Sequence, residues 1–146
     1  PVARGLLRIS NGARFATSFS ILYGSGVDAL DSMETAGRMM TNLYVRARIA
    51  QLTKEVKGGR MLSEVFSEEG LFPPAFGAMA AAGEESGQLA RILGQAGIFY
   101  EEEEQRALEQ LLAFLEPAMI LLMGLIVGTI VMAVVIPLYS LYSQMM

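Results

Sequence analysis

Cysteine and histidine are both absent from the 146 residues. Without cysteine there is no disulfide framework and no thiolate metal site. Without histidine the chain lacks the commonest general base near neutral pH and the commonest transition-metal ligand. Its serines therefore have no imidazole to activate them. A GxxxxGK[ST] stretch is missing as well: Lys54 precedes Glu55 and Lys57 precedes Gly58, so no P-loop is present. Gly24-Ser25-Gly26-Val27-Asp28-Ala29 imitates a dinucleotide fingerprint. That motif needs a following strand and an acid about 20 positions on. Residues 44–50 read YVRARIA, with no acid, so a helix–helix turn is the better reading. We expect no enzyme, no metal and no cofactor.

The net charge is −4, from 11 Lys+Arg against 15 Asp+Glu. Nucleic-acid binding needs a basic face and is not expected. The opening PVARGLLRIS has no apolar region of signal-peptide length. The chain starts on Pro1 rather than Met, which predicts a longer protein with sequence upstream.

Charge is missing altogether from Pro117 to Met146, whereas residues 1–116 carry every charged side chain. Ala118 to Ile136 reads AMILLMGLIVGTIVMAVVI, with Thr129 as its one polar side chain. About 20 apolar helical residues span a bilayer. A soluble domain of this size seldom offers an interior that buries such a helix all round. We therefore expect a transmembrane helix over 117–138 and a short non-cytoplasmic tail over 139–146. Tyr139 and Tyr142 suit the far interface. Residues 1–116 are placed in the cytoplasm, because every basic residue precedes the span. No ionisable residue lies within the span, which argues against an ion or proton relay.

The part before the span reads as all-α, a bundle of six helices. Phe15, Phe19 and Leu22 recur at helical spacing, with Ala16 and Tyr23 beside them, and Gly24-Ser25-Gly26 closes that helix. Asp28 or Asp31 caps a second helix carrying Leu30, Met33, Ala36 and Met40. Val45, Ile49, Leu52 and Val56 form a third stripe, ended by Gly58-Gly59. A short fourth segment holds Leu62, Val65 and Phe66. After Pro73-Pro74 comes a fifth helix, from Ala75 to about Glu85, rich in Ala and Gly and so suited to close packing. The sixth starts at Gln88 and runs to Glu116-Pro117, where proline is expected to kink or restart the helix at the membrane surface.

Three stretches admit a functional reading beside a plain one. Glu101 to Glu104 is either a solvated helix turn or a docking surface for a basic partner. Gly124 and Gly128 form a GxxxG that lets another helix backbone approach closely, a pattern also frequent in membrane helices by chance. Gly83-Glu84-Glu85-Ser86-Gly87-Gln88-Leu89 is a helix end, a turn and a new helix, with Gly87 supplying the backbone angles and Ser86 a cap.

At this last stretch the chain resembles the type II secretion F domain family, the GspF/PilC-like inner-membrane platform proteins. The similarity rests on GEESGQL preceded by FPPAFGAMAAA. Support comes from the opening PVARGLLRISNGARFATSFSILYGSGVDALDSM, from FYEEE, from LEP at Leu115-Glu116-Pro117, and from IPLYSLY at 136–142. Asp28 departs from the pattern, where many members have proline; a capping Asp serves the same helix start.

The resemblance implies the second of two related cytoplasmic helical domains, with the last of three membrane helices, in a multi-pass inner-membrane protein. It implies a platform without catalysis that passes motion from a cytoplasmic secretion or pilus ATPase to pilin or pseudopilin insertion. Other inner-membrane assembly proteins would be partners, and the platform would be a homo-oligomer. By position Gly83, Glu84, Ser86, Gly87 and Leu89 match the signature. The partner-binding candidates are Glu84, Glu85 and Gly87, with Glu101 and Glu102 on the sixth helix. The helix-packing candidates are Gly124, Gly128 and Pro117. Alternative readings are a scaffold of a tight-adherence or archaellum-type system, or a transporter subunit.

Overall fold

The computed structural model describes residues 2–68 and 70–146. Six helices and no strands occur among them: α1 (Val2–Gly24), α2 (Ala29–Arg38), α3 (Leu43–Lys57), α4 (Leu62–Phe66), α5 (Phe76–Ser86) and α6 (Leu89–Gln144). The all-α architecture is therefore the one expected from the apolar periodicity. The chain divides into two compact units, residues 1–106 and 107–146.

Aromatic side chains build the centre of the first unit. Phe15 and Phe19 of α1, Phe66 of α4 and Phe76 of α5 are all buried, as is Phe72 in the preceding turn. Phe15 is the hub, with ring centroids 5.2 Å from Phe72, 5.4 Å from Phe66 and 5.8 Å from Phe19. Burying each such ring stabilises the fold by about 1.5–3 kcal/mol. Truncating one to Ala typically costs about 3–5 kcal/mol, because a cavity remains. Met33, Val45, Ile49, Leu52 and Leu93 complete this core from α2, α3 and α6.

Helix ends follow side-chain chemistry. Of the two candidates Asp28 is the cap of α2: its Oδ2 accepts from the Leu30 N–H at 3.1 Å. The cap of α3 is Asn42, which the sequence reading passed over; its Oδ1 accepts from Tyr44 N–H at 2.9 Å. Its signal was available, since Asn directly before an apolar stripe is a strong N-cap. Helices α1, α3 and α5 end alike, with left-handed glycines at 26, 59 and 87. In each, the next residue's N–H reaches back to a carbonyl five positions earlier, at Leu22, Glu55 and Gly83.

Small residues set the helix spacing. A Cβ on Gly97 would lie 2.5 Å from Thr17 Oγ1 and 3.1 Å from Thr17 N, so α1 and the start of α6 meet backbone against side-chain stub. Gly94 faces Ser20, and Gly24 faces Ala90, along the same seam. The expected close packing of α5 holds: a Cβ on Gly77 would sit 1.8 Å from Ser67 Oγ.

Of the two outcomes expected at Pro117, the restart does not occur. Helix α6 neither stops nor restarts there, and contains both Pro117 and Pro137. Proline removes one backbone hydrogen bond and crowds the preceding turn. Long stretches of intact ladder on both sides keep the segment helical despite that loss. The apolar part of α6 is long enough to cross a membrane, and none of it is buried. A core helix of a soluble protein passes the same length test but is buried, so lipid is the solvent this surface fits.

Candidate functional site

Helix α4 is five residues long, and its N-cap position, Met61, supplies no side-chain acceptor. The first N–H groups of any helix lack intrahelical partners. Here a carboxylate from another helix fills the gap. Glu84 on α5 accepts from the Ser63 N–H with Oε1 at 3.2 Å and from the Ser63 hydroxyl with Oε2 at 3.4 Å. A negative charge at a helix N-terminus is favourable as well. Glu84 is half-buried in this arrangement, whereas its neighbour Glu85 is exposed.

The turn after Glu84 is fixed by Gly87, whose φ of 67° is left-handed. The Gln88 N–H donates to the Gly83 carbonyl at 3.0 Å and the Gly87 N–H to the Glu84 carbonyl at 3.4 Å. A Cβ on Gly83 would lie 2.8 Å from Leu89 Cα, so the chain doubles back with no space to spare. Ser86 does not cap α6 as expected. It sits inside α5 and its hydroxyl donates to the Ala82 carbonyl at 2.7 Å. Beside the turn is a cleft of about 210 Å³ lined by Met61, Ser63, Ala81, Glu84 and Glu85.

Glu101 and Glu102 lie elsewhere and point apart. Glu101 and Glu104 line a cleft of about 490 Å³ with Arg14, Thr17, Met39 and Met40. Glu102 instead accepts from Arg106 at 3.4 Å, and Glu103 does so at 3.3 Å. The Glu84–Gly87 turn and Glu101 thus border different clefts. In the second unit, a Cβ on Gly124 or Gly128 would meet nothing within 4 Å, so none of the described residues packs on that face.

An ion network escaped the sequence reading. Arg60 bonds Glu55, lies 2.9 Å from Glu68 and 3.6 Å from Glu64, while Arg48 also bonds Glu68. The Arg60 guanidinium, helped by Arg48, holds the Glu68 carboxyl below the usual carboxylate range against the opposing effect of burial. Arg60 itself is pushed up by Glu68 and Glu55. The network ties the end of α3 to the segment after α4. Its only local trace is the cluster of Glu64 and Glu68 around a single Arg60, which does not reveal Arg48.

Exposed carboxylates, shallow clefts and tightly specified turns suit docking. What the geometry defines is an all-helical domain that carries a helix long and apolar enough to cross a membrane. Comparison with known proteins gives the family. Residues 15–137 match the family described as type II secretion system (T2SS), protein F. The chain is 37% identical over 143 residues to the type 4 fimbrial assembly protein PilC of Pseudomonas putida, covering 98% of this chain and 36% of that protein. It is 36% identical over 143 residues to the type II secretion system protein F of Aeromonas hydrophila, covering 98% and 36%. With the type IV pilus assembly protein PilC of Thermus thermophilus it shares 32% over 146 residues, covering 99% and 36%. The chain belongs to the type II secretion system protein F family, and spans about a third of the length of these curated relatives.

Proposed function

We propose that this domain is the part of an inner-membrane platform that receives motion from a cytoplasmic assembly ATPase and delivers it to pilin or pseudopilin insertion. One observation carries the reading. A single helix, α6, holds core residues Leu89, Leu93, Ala96 and Tyr100 and also the apolar run over 118–136. Helix α6 is therefore the segment through which this reading passes motion toward the membrane. Residues 1–116 lie on the cytoplasmic side in this reading, and the whole protein is multi-pass and homo-oligomeric. Glu101 offers its carboxylate to the partner at the larger cleft, and Glu102, held by Arg106, offers a second one outside that cleft. Glu84 and Gly87 hold the turn that presents Glu85. Gly124 and Gly128 offer the face against a neighbouring membrane helix, with Pro117 at the entry.

The test uses the intact protein in its own cell. Leu111→Gly with Leu112→Pro breaks α6 between the core and the span. Membrane insertion and co-purification with the ATPase are expected to persist, while filament assembly or secretion is lost. Full assembly by this variant refutes the coupling. Failure of the unmodified protein to co-purify with the ATPase refutes the partner.

A further inference from the structure

Four of the nine arginines of the first unit are matched by carboxylates, and Arg14, Arg46 and Arg91 donate to neutral oxygens instead. Arg38, Arg48, Arg60 and Arg106 all form ion pairs. Arg4 and Arg8 do not pair with any carboxylate among the described residues. They sit one turn apart on α1, and both line a cleft of about 380 Å³ together with Leu7, Asn11, Asn42 and Tyr44. The cleft joins two cations that no described carboxylate pairs to uncovered apolar surface: Leu7 is 53% exposed and Tyr44 is 74% exposed. Arg8 is half-buried, and none of the described carboxylates compensates its charge.

We propose that this cleft binds the headgroup of an anionic phospholipid, with its phosphate between Arg4 and Arg8. Guanidinium forks match phosphate oxygens in a bidentate way. Asn11 offers an amide donor to the same group. The apolar rim decides between a lipid and a free anion. Inorganic phosphate gains nothing from Leu7 and Tyr44, whereas a lipid carries glycerol and acyl carbons that cover them. Tyrosine beside arginine is also the composition that settles at the headgroup level of membranes. The protein's net charge of −4 makes this a local feature and not a general attraction for anions.

The full chain in detergent micelles, offered equal phosphatidylglycerol and phosphatidylcholine, gives the test by native mass spectrometry. Residues 117–146 hold no charge, so the membrane helix retains lipid without preference between the two headgroups. The unmodified chain is expected to retain phosphatidylglycerol preferentially. Arg4→Gln with Arg8→Gln should weaken that retention about thirtyfold, the factor two surface cations supply on an anionic membrane. Arg4→Lys with Arg8→Lys should recover most of it, and Lys54→Gln with Lys57→Gln, which removes the same charge elsewhere, should leave it intact. A thermal unfolding midpoint shared by all variants shows that folding is preserved. No headgroup preference in the unmodified chain overturns the proposal. Equal losses in the arginine and lysine pairs, or equally tight retention of inorganic phosphate, overturn it too.

Discussion

Replacing Glu84 by Ala removes the carboxylate that accepts from the Ser63 N–H and hydroxyl at the start of α4. Removing a side-chain cap costs about 1 kcal/mol, within a range of about 0.5–2. A charge-assisted bond alone is worth about 1.5–3 kcal/mol. Glu84 is half-exposed and its contacts of 3.2 and 3.4 Å are long, so the lower scale governs. The expected loss is about 1–1.5 kcal/mol, or roughly 4–10 °C in the melting midpoint of a unit of this size. Glu84→Gln keeps one acceptor and loses only the charge at the helix end, so about 0.3–1 kcal/mol is expected. Glu85→Ala, one residue along and exposed, should stay within about 0.5 kcal/mol of the parent. Thermal unfolding of the full chain in detergent, followed by circular dichroism, reads all three. A cycle with Ser63→Ala isolates the pair, because the Oγ contact is shared and the N–H contact is not. If Glu84→Ala melts with Glu85→Ala, the carboxylate does not hold α4. If it also abolishes assembly in the cell, its role is docking, and the capping argument fails.

Two more outcomes are expected. Gly87→Ala places a Cβ where no atom lies within 4 Å, so the loss is purely that of a left-handed backbone, about 1–2 kcal/mol. Gly87→Asn should recover part of it, and equal stability of glycine and alanine by denaturant titration would contradict the turn geometry. Glu68 titrates below its ordinary value of 4.5 in the folded state. Its contribution is complete above that value and disappears as pH falls through the lower folded value. Melting midpoints measured from pH 7 down to about pH 3 should therefore fall less steeply for Glu68→Gln than for the parent, and parallel curves would refute the network.

The parts of the fold visible in the sequence are those governed by short spacing. Val45, Ile49 and Leu52 announce the buried face of α3 because successive helical turns bring them together, and all three are buried. Asp28 and the glycine turns are equally local. The contact between Glu84 and Ser63 spans 21 residues and depends on how α5 lies on α4, which no periodicity encodes. Arg48 and Glu68 are 20 residues apart and were missed for the same reason. Pro117 is the converse case. Its local preference admits a kink or a restart, and the helix on either side excludes the restart. Leu108, Leu111, Leu112 and Leu115 continue the apolar pattern of α6, yet all are exposed, since periodicity reports an apolar face without saying what meets it.

The seam between α1 and the start of α6 is made of glycine, alanine, serine and threonine at Gly24–Ala90, Ser20–Gly94 and Thr17–Gly97. Large side chains interlock like teeth and resist sliding. Stubs this short leave a nearly smooth track. Freezing them also takes little rotamer entropy, so contact here is inexpensive to break and remake in a new register. A Cβ added at Gly97 would lie 3.1 Å from Thr17 N, so the seam admits no larger residue there. Leu93 and Tyr100 on the same helix are buried in the core, and Tyr100 packs on Phe76. The seam thus sets how near the two helices lie, and the large side chains beside it set where α6 rests along its axis.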